Sequence, residues 1–279
     1  MKYKYEDYLK MADYIRSKTT FQPLVGAVLG SGLGDLVNEM EVVATIPYKD
    51  VPSLPVSTNK AHKGQFIFGT LKGVPCVFMQ GRLHYYEGYT SEEVTAPIRL
   101  LKLLGIKYLL LTNAAGGCGA NFHPGDLMVI TDHITSFMPS PLYGTNIDEF
   151  GPRFPDMSDV YDNVLTTKII LRGKELGLPI KQGTYLQFAG PQYESKAEVQ
   201  MAIKLGASAC GMSTAIEALV AAHMGLKTVG FSLISNLCTG LSDNKLSDEE
   251  VIAMGKKASK DMTALFMAII EILKQDNDR

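Results

Sequence analysis

The chain has 279 residues, 46 % of them hydrophobic, which is enough apolar material for one large α/β domain with a sizeable core. Its 27 basic residues stand against 29 acidic ones, and a formal charge of −2 gives no basic footprint for nucleic acid. The first seven residues, Met1 to Asp7, carry Glu6 and Asp7 where a secretory signal needs an apolar run, and Glu271 interrupts the longest apolar stretch, so a cytoplasmic protein with no membrane span is expected.

Taken in chain order, strand-length apolar runs occur at Leu24 to Leu29, Glu41 to Ile46, Gln65 to Phe68, Pro75 to Met79 and Tyr108 to Leu111. They continue at Leu127 to Ile130, Tyr185 to Phe188 and Thr228 to Ile234. Several are continuous rather than alternating, as in strands buried on both faces. Capping-box pairs mark helix starts between them: Thr90 with Glu93, Ser195 with Glu198, Thr214 with Glu217 and Ser247 with Glu250. Strands interleaved with helices, and no repeat or long linker, predict a single α/β domain over residues 1–279 with a twisted parallel or mixed central sheet flanked by helices. The stretch Thr135 to Asp159 holds Pro139, Pro141, Gly144, Gly151, Pro152 and Pro155, too many breakers for a regular element, and Leu237 to Lys245 reads as a second loop able to act as a lid.

The chemistry-bearing segments fall at strand ends. Gly30-Ser31-Gly32-Leu33-Gly34 has the glycines and hydroxyl of an anion cradle, or of a simple tight turn, and Asp35 denies it the dinucleotide fingerprint. The run from Gln80 to Tyr89 offers Arg82 as a phosphate fork, His84 as a donor and Glu87 as a carboxylate able to fix the imidazole tautomer, the alternative being an exposed Arg–Glu turn. Small residues at Thr112 to Gly117 leave room for a flat ligand or for close packing. Gly190 to Ser195 sets Tyr193 and Glu194 side by side, suited to stacking on and hydrogen bonding to a heterocycle, though a plain helix entry capped by Ser195 reads equally well. At Gly211 to Ala215, Ser213 opens a helix where an anion meets backbone N–H groups; the nucleophile-elbow rival fails because the last glycine is Ala215 and His223 lies within the same helix. Glu217 reads as a capping residue. Ser235-Asn236 ends the last strong strand, where an amide can face a base edge or make a turn.

Cys76, Cys118, Cys210 and Cys238 lie far apart without a C-x-x-C pair, so buried reduced thiols are expected and no zinc ribbon or redox dithiol. The five histidines, His62, His84, His123, His133 and His223, lack metal-ligand spacing, and no metal site is expected.

Together these segments resemble the trimeric purine nucleoside phosphorylases from about Pro23 to Ile272. The matches are G-S-G-L-G at 30–34, A-H-K-G at 61–64, G-R-L-H-Y-Y-E-G-Y at 81–89 and N-A-A-G-G at 113–117. R-F-P-D-M-S-D at 153–159, G-P-Q-Y-E at 190–194, G-M-S-T at 211–214 and G-F-S-L-I-S-N at 230–236 extend them. The resemblance implies that Ser31, His62, Arg82, His84, Ala114 and Ser213 hold phosphate. It implies nucleoside contacts from Tyr86, Ala115, Gly116, Tyr193, Glu194, Gly211, Met212 and Asn236, with Phe154 reaching a neighbouring subunit's ribose. His84, Glu194 and Asn236 would be catalytic. The implied reaction is phosphorolysis of 6-oxopurine nucleosides, with inorganic phosphate as co-substrate and no cofactor, in a homotrimer that takes only small-molecule substrates. This chain departs from the family pattern at Ala215 and Ile216, at Ser195, and at Asp248, which stands where many relatives place a histidine facing the ribose 5′-hydroxyl. The methylthioadenosine branch of the family differs by an aspartate at the place of Asn236, and a silent nucleoside-binding relative would have lost phosphate ligands.

Overall fold

The computed structural model describes residues 2–278 apart from 31–32, 60–61 and 243–245, and the side chains of Asp35 and Asp248 also lie outside the description. Nine strands form one mixed sheet: β1 (Val25–Leu29), β2 (Glu41–Pro47), β3 (Gln65–Leu71), β4 (Val74–Gln80), β5 (Tyr108–Gly117), β6 (Leu127–Ile134), β7 (Ile180–Gln187), β8 (Ala209–Gly211) and β9 (Lys227–Leu237). The order is β2-β3-β4-β1-β5-β8-β7-β6-β9, and β9 pairs back onto β5, so five strands close into a ring from which the other four extend as a flank. Among the described residues six α-helices cover the sheet: α1 (Tyr5–Lys18), α2 (Ser91–Leu103), α3 (Asn163–Glu175), α4 (Lys196–Lys204), α5 (Ala215–His223) and α6 (Asp248–Asn277).

Continuous apolar runs are what a two-sided core requires. On one face Val28, Leu109 and Leu111 pack with Tyr8 and Ile15 of α1, Ile98 of α2 and Val220 of α5. On the other, Ala27, Tyr108 and Leu110 pack with Leu165 of α3 and Leu265 and Phe266 of α6. Alternate residues of one strand thus serve opposite layers.

All eight strands expected from apolar runs are present, most of them longer at one end. The helices α1 and α3 were not placed by the sequence: α1 opens with Asp7 accepting from the Lys4 amide at 3.0 Å, and α3 with Asp162 accepting from the Leu165 amide at 2.9 Å. Of the four expected capping boxes, Thr90–Glu93 and Ser195–Glu198 form completely, and Ser247 accepts from the Glu250 amide at 3.3 Å. The Thr214–Glu217 box does not form. Thr214 is the N-cap of α5 but makes no capping bond, and its φ of 78° lies in the left-handed region. The stretch 135–159 contains no helix or strand among the described residues, as its prolines and glycines demand. It is pinned by Phe150, whose ring lies edge-on to Tyr5 and Tyr8, and by Pro152, whose carbonyl meets His223 Nε2 at 3.1 Å. The expected lid at 237–245 lies partly outside the described residues.

Candidate active site

Because β1 runs parallel to both β4 and β5, and β5 parallel to β9, four carboxyl ends gather on one side of the sheet, where open α/β sheets bind ligands. The antiparallel β8 brings Gly211 to the end of β5. A cleft of about 380 Å³ opens there. Gly30, His62, Arg82, His84, Asn113, Ala114 and Ser213 line one part of it; Tyr86, Ala115, Gly116, Tyr193, Glu194, Gly211, Met212 and Asn236 are among the residues that line the rest. Ser31 lies outside the described residues, as does the Asp248 side chain at the start of α6. Phe154 is 88 % exposed and lines no part of this cleft in the single chain.

Arg82 is 2 % exposed, and its guanidinium does not stand free as a fork for phosphate. Nε donates to Glu217 Oε1 at 3.1 Å, one Nη to Glu217 Oε2 at 2.7 Å and the other Nη to the Thr112 carbonyl at 2.5 Å. Three of five N–H donors are therefore used in holding the group and Glu217 offsets its charge, leaving two N–H donors for a ligand. Glu217 is the partner that sequence reading assigned to a helix cap. The signal that finds it is a carboxylate one turn inside an apolar helix, facing the sheet, since a buried Glu needs a cation.

His84 follows the expected scheme. The Glu87 carboxylate accepts from the His84 amide at 2.8 Å and lies 3.1 Å from His84 Nδ1. Burial alone would raise that carboxyl, but hydrogen bonds from the His84 ring and the Thr58 amide and hydroxyl hold it down at about 2. An ionised carboxylate at Nδ1 demands N–H there, which leaves Nε2 for a ligand. The ring stacks between His62, at 5.2 Å, and Tyr86, at 4.7 Å. Burial, and repulsion from His84 and Arg82, push the His62 ring down to about 3, so it stays neutral near pH 7.

Ser213 sits on a strained turn. The left-handed Thr214 beside it costs about 1–3 kcal/mol, offset in part by hydrogen bonds from Asn113 Nδ2 to Thr214 Oγ1 at 3.0 Å and between the two hydroxyls at 3.2 Å. Gly211 is required here because a Cβ would stand 2.2 Å from the buried Tyr185 hydroxyl. At the other end, burial raises the Glu194 carboxyl. Asn236 is oriented by Ser235, whose hydroxyl donates to Oδ1 at 2.6 Å, while Nδ2 donates to the Leu237 carbonyl at 3.0 Å. Each amide pole keeps capacity for one more bond.

Sequence reading did not pick out Asn113 or Asn59 as wall residues. The Asn113 amide oxygen is buried with no hydrogen-bond partner among the described residues, and Asn59 Nδ2 donates to the Tyr86 hydroxyl at 3.2 Å. It also left the cysteines apart, whereas Cys118, Cys210 and Cys238 converge, because strands distant in sequence are neighbours in the ring.

A model of the phosphorylase superfamily matches residues 25–271. Purine nucleoside phosphorylase 1 of Bacillus subtilis (strain 168) is 44% identical over 261 residues, covering 94% of this chain and 96% of that protein. The purine nucleoside phosphorylase of Bos taurus is 43% identical over 282 residues, 97% of each chain. The crystal structure of the Schistosoma mansoni enzyme with inosine superposes with a TM-score of 0.90 at 38% identity over 96% of each chain, and its adenosine complex likewise gives 0.90. Strand ends that gather an anchored arginine, a carboxylate-held imidazole and an oriented amide, together with likeness over nearly the full length, place the chain in the phosphorylase superfamily, among the purine nucleoside phosphorylases.

Proposed function

We propose that this chain, as one domain over residues 1–279, catalyses phosphorolysis of 6-oxopurine nucleosides such as inosine and guanosine and their 2′-deoxy forms. The products are free base and ribose 1-phosphate, and the setting is purine salvage in the cytoplasm. The observation that carries the reading is polarity along one cleft: a buried cation with two spare N–H donors at one end, an oriented amide and a carboxyl at the other.

Arg82, His84, Ser213 and the Ala114 backbone, with Ser31 and His62, hold phosphate beneath the sugar, and Tyr86 and Met212 position the ribose. A phosphate oxygen attacks C1′ as the glycosidic bond breaks, and the bonding pair leaves with the purine. Charge grows positive on the sugar and negative on the base, so groups matched to those changes lower the barrier. Asn236 donates its remaining N–H to N7 and the adjoining O6, Glu194 accepts from N1–H, Tyr193 lies along the ring, and Ala115, Gly116 and Gly211 keep the wall flat. Asp248 takes the 5′-hydroxyl. No cofactor is needed, because phosphate is itself the nucleophile.

A bound adenosine in the Schistosoma mansoni relative means that occupancy does not discriminate between bases, so the test is turnover. Free base should appear from inosine and guanosine only with phosphate present, and from adenosine roughly 10⁴-fold more slowly, since its N1 has no proton for Glu194. Equal turnover of adenosine overturns the base-pocket assignment; release without phosphate overturns the reaction. Asn236→Asp should narrow or reverse the base preference.

A further inference from the structure

The thiols of Cys118, Cys210 and Cys238 come from three adjacent chain segments: Cys118 just past the end of β5, Cys210 within β8 and Cys238 just past β9. Each is almost fully buried, at 5 %, 2 % and 1 % exposure. Their sulfurs all lie within 4.8 Å of one another, with Cys118 and Cys210 at 3.8 Å. Four sulfurs around a tetrahedral Zn²⁺ at about 2.3 Å are spaced by about 3.8 Å, so that pair already has the edge length such an ion requires. A disulfide would instead need the two sulfurs to close to about 2.05 Å.

The cluster also has an approach. Cys210 lines the cleft, whereas Cys76, the remaining cysteine, is buried in β4 away from it. Gly116 marks how near the cluster stands to the base end: a Cβ there would sit 2.9 Å from Cys238 Sγ and 3.4 Å from Asn236 Nδ2. Thiols are soft ligands that select Zn²⁺ and Cu⁺ over Mg²⁺ and Ca²⁺. No fourth His, Cys, Asp or Glu joins the group among the described residues, so one coordination position is left to water or to a group in the cleft.

We propose that Cys118, Cys210 and Cys238 form a trithiolate site for one thiophilic d¹⁰ cation, Zn²⁺ or Cu⁺, and that its occupancy closes the base end of the cleft. Each sulfur gives its proton to solvent as its metal–sulfur bond forms, and no electrons move. The bound ion stands beside Cys210 in the cleft wall and near the Asn236 amide, where it displaces or draws in whatever lies against the base.

The experiment uses the full chain, reduced and stripped with a chelator, then dialysed against Zn²⁺, against Cu⁺ under anaerobic reductant, or against Mg²⁺. Metal per chain is counted by mass spectrometry, and Co²⁺ is added as a spectroscopic stand-in. One Zn²⁺ or one Cu⁺ per chain should be retained and no Mg²⁺, and Co²⁺ should show a thiolate-to-metal charge-transfer band. Retention of only one of the two cations identifies which one the site takes. Cys118→Ala and Cys238→Ala should each weaken binding by more than about 100-fold, beyond the cost of losing an outer partner, while Cys76→Ala should not. Less than one ion per chain with both cations, or equal binding by Cys238→Ala, overturns the proposal. So does mild oxidation that consumes two of these thiols in a chain that retains no metal, which would make the cluster a redox pair. The inhibitory part rests on the phosphorylase reading: phosphorolysis should fall in proportion to occupancy in the wild type and not in Cys238→Ala. Metal counting and the cobalt band need no turnover, so failure of the activity reading and failure of the site are told apart.

Discussion

Glu217 and Arg82 bind each other through two hydrogen bonds, with each side chain only 2 % exposed. Removing one partner of such a buried pair leaves the other charge uncompensated. Glu217→Ala should therefore lower unfolding free energy by about 3–5 kcal/mol and also weaken phosphate use, because Arg82 loses its anchor. Urea melts together with phosphate KM check both; an unchanged melt would mean that the pair contributes nothing to the fold. Losing Arg82 or Ser213 should slow turnover by roughly 10²-fold, the scale of one oriented donor lost from a site of developing charge. The neighbouring imidazole layer sets an acid limit. His62 and Glu87 both hold fewer protons folded than unfolded, since their folded values sit at about 3 and about 2. Stability from these groups is thus fully present above 6.5, declines as pH falls from there for His62, and declines from 4.5 downward for Glu87. His62→Asn should flatten the upper part of that slope in urea midpoints measured against pH, and a slope unchanged by the substitution would remove His62 as its cause. The residues carrying these effects were only half legible in the sequence. Arg82, His84 and Glu87 share one turn and announce one another, but Glu217 reaches Arg82 across 135 positions and its local pattern matches a helix cap.

Strand β1 must pass close to β5 for the cleft floor to form, and Gly30, just past its end, lies against the β5 backbone. A Cβ at Gly30 would stand 2.6 Å from the Thr112 carbonyl oxygen and 2.8 Å from Asn113 Cα, both backbone atoms. The Gly30 amide also donates to Thr112 Oγ1 at 2.8 Å, fixing the two strand ends together. Gly30→Ala should cost about 1–3 kcal/mol by overpacking and raise phosphate KM by moving Asn113 and Ala114. Calorimetry and phosphate kinetics matching the wild type would show that the strands can part without consequence. From the sequence, Gly30 reads as a cradle glycine or a turn glycine; the structure shows it first as a contact between strands. Long strands such as β9 were legible because burial on both faces leaves a continuous apolar run. The three residues of β8 leave no such run, since its place is set by pairing with β5 and β7 rather than by its own composition. For the same reason the cysteine cluster had no signature in spacing.

The expected trimer would explain why Phe154 projects from the long 135–159 loop with 88 % of its surface exposed. A large exposed aromatic on a loop pinned at Phe150 and Pro152 suits insertion into a neighbouring copy. Light scattering should give three times the 30.5 kDa chain mass. Phe154→Ala should raise nucleoside KM by about tenfold or more, from the usual worth of a buried Phe, without moving the melting temperature. A fully active monomer at assay concentration would overturn this arrangement. The closed ring of strands has a further consequence, in how the molecule opens. Strand β5 belongs to both parts of the sheet, bonded to β1 on one side, to β9 on the other and to β8 at its tip. Opening the flank leaves it held by β9, and opening the ring leaves it held by β1. Amides of β5 should therefore exchange with deuterium only through global unfolding, while those of the outermost strand β2, where Val42 and Val43 are exposed, exchange by local fraying. The segment Ala114 to Gly116 lies on that slowest strand, so the floor of the cleft keeps its shape through every partial opening short of the last.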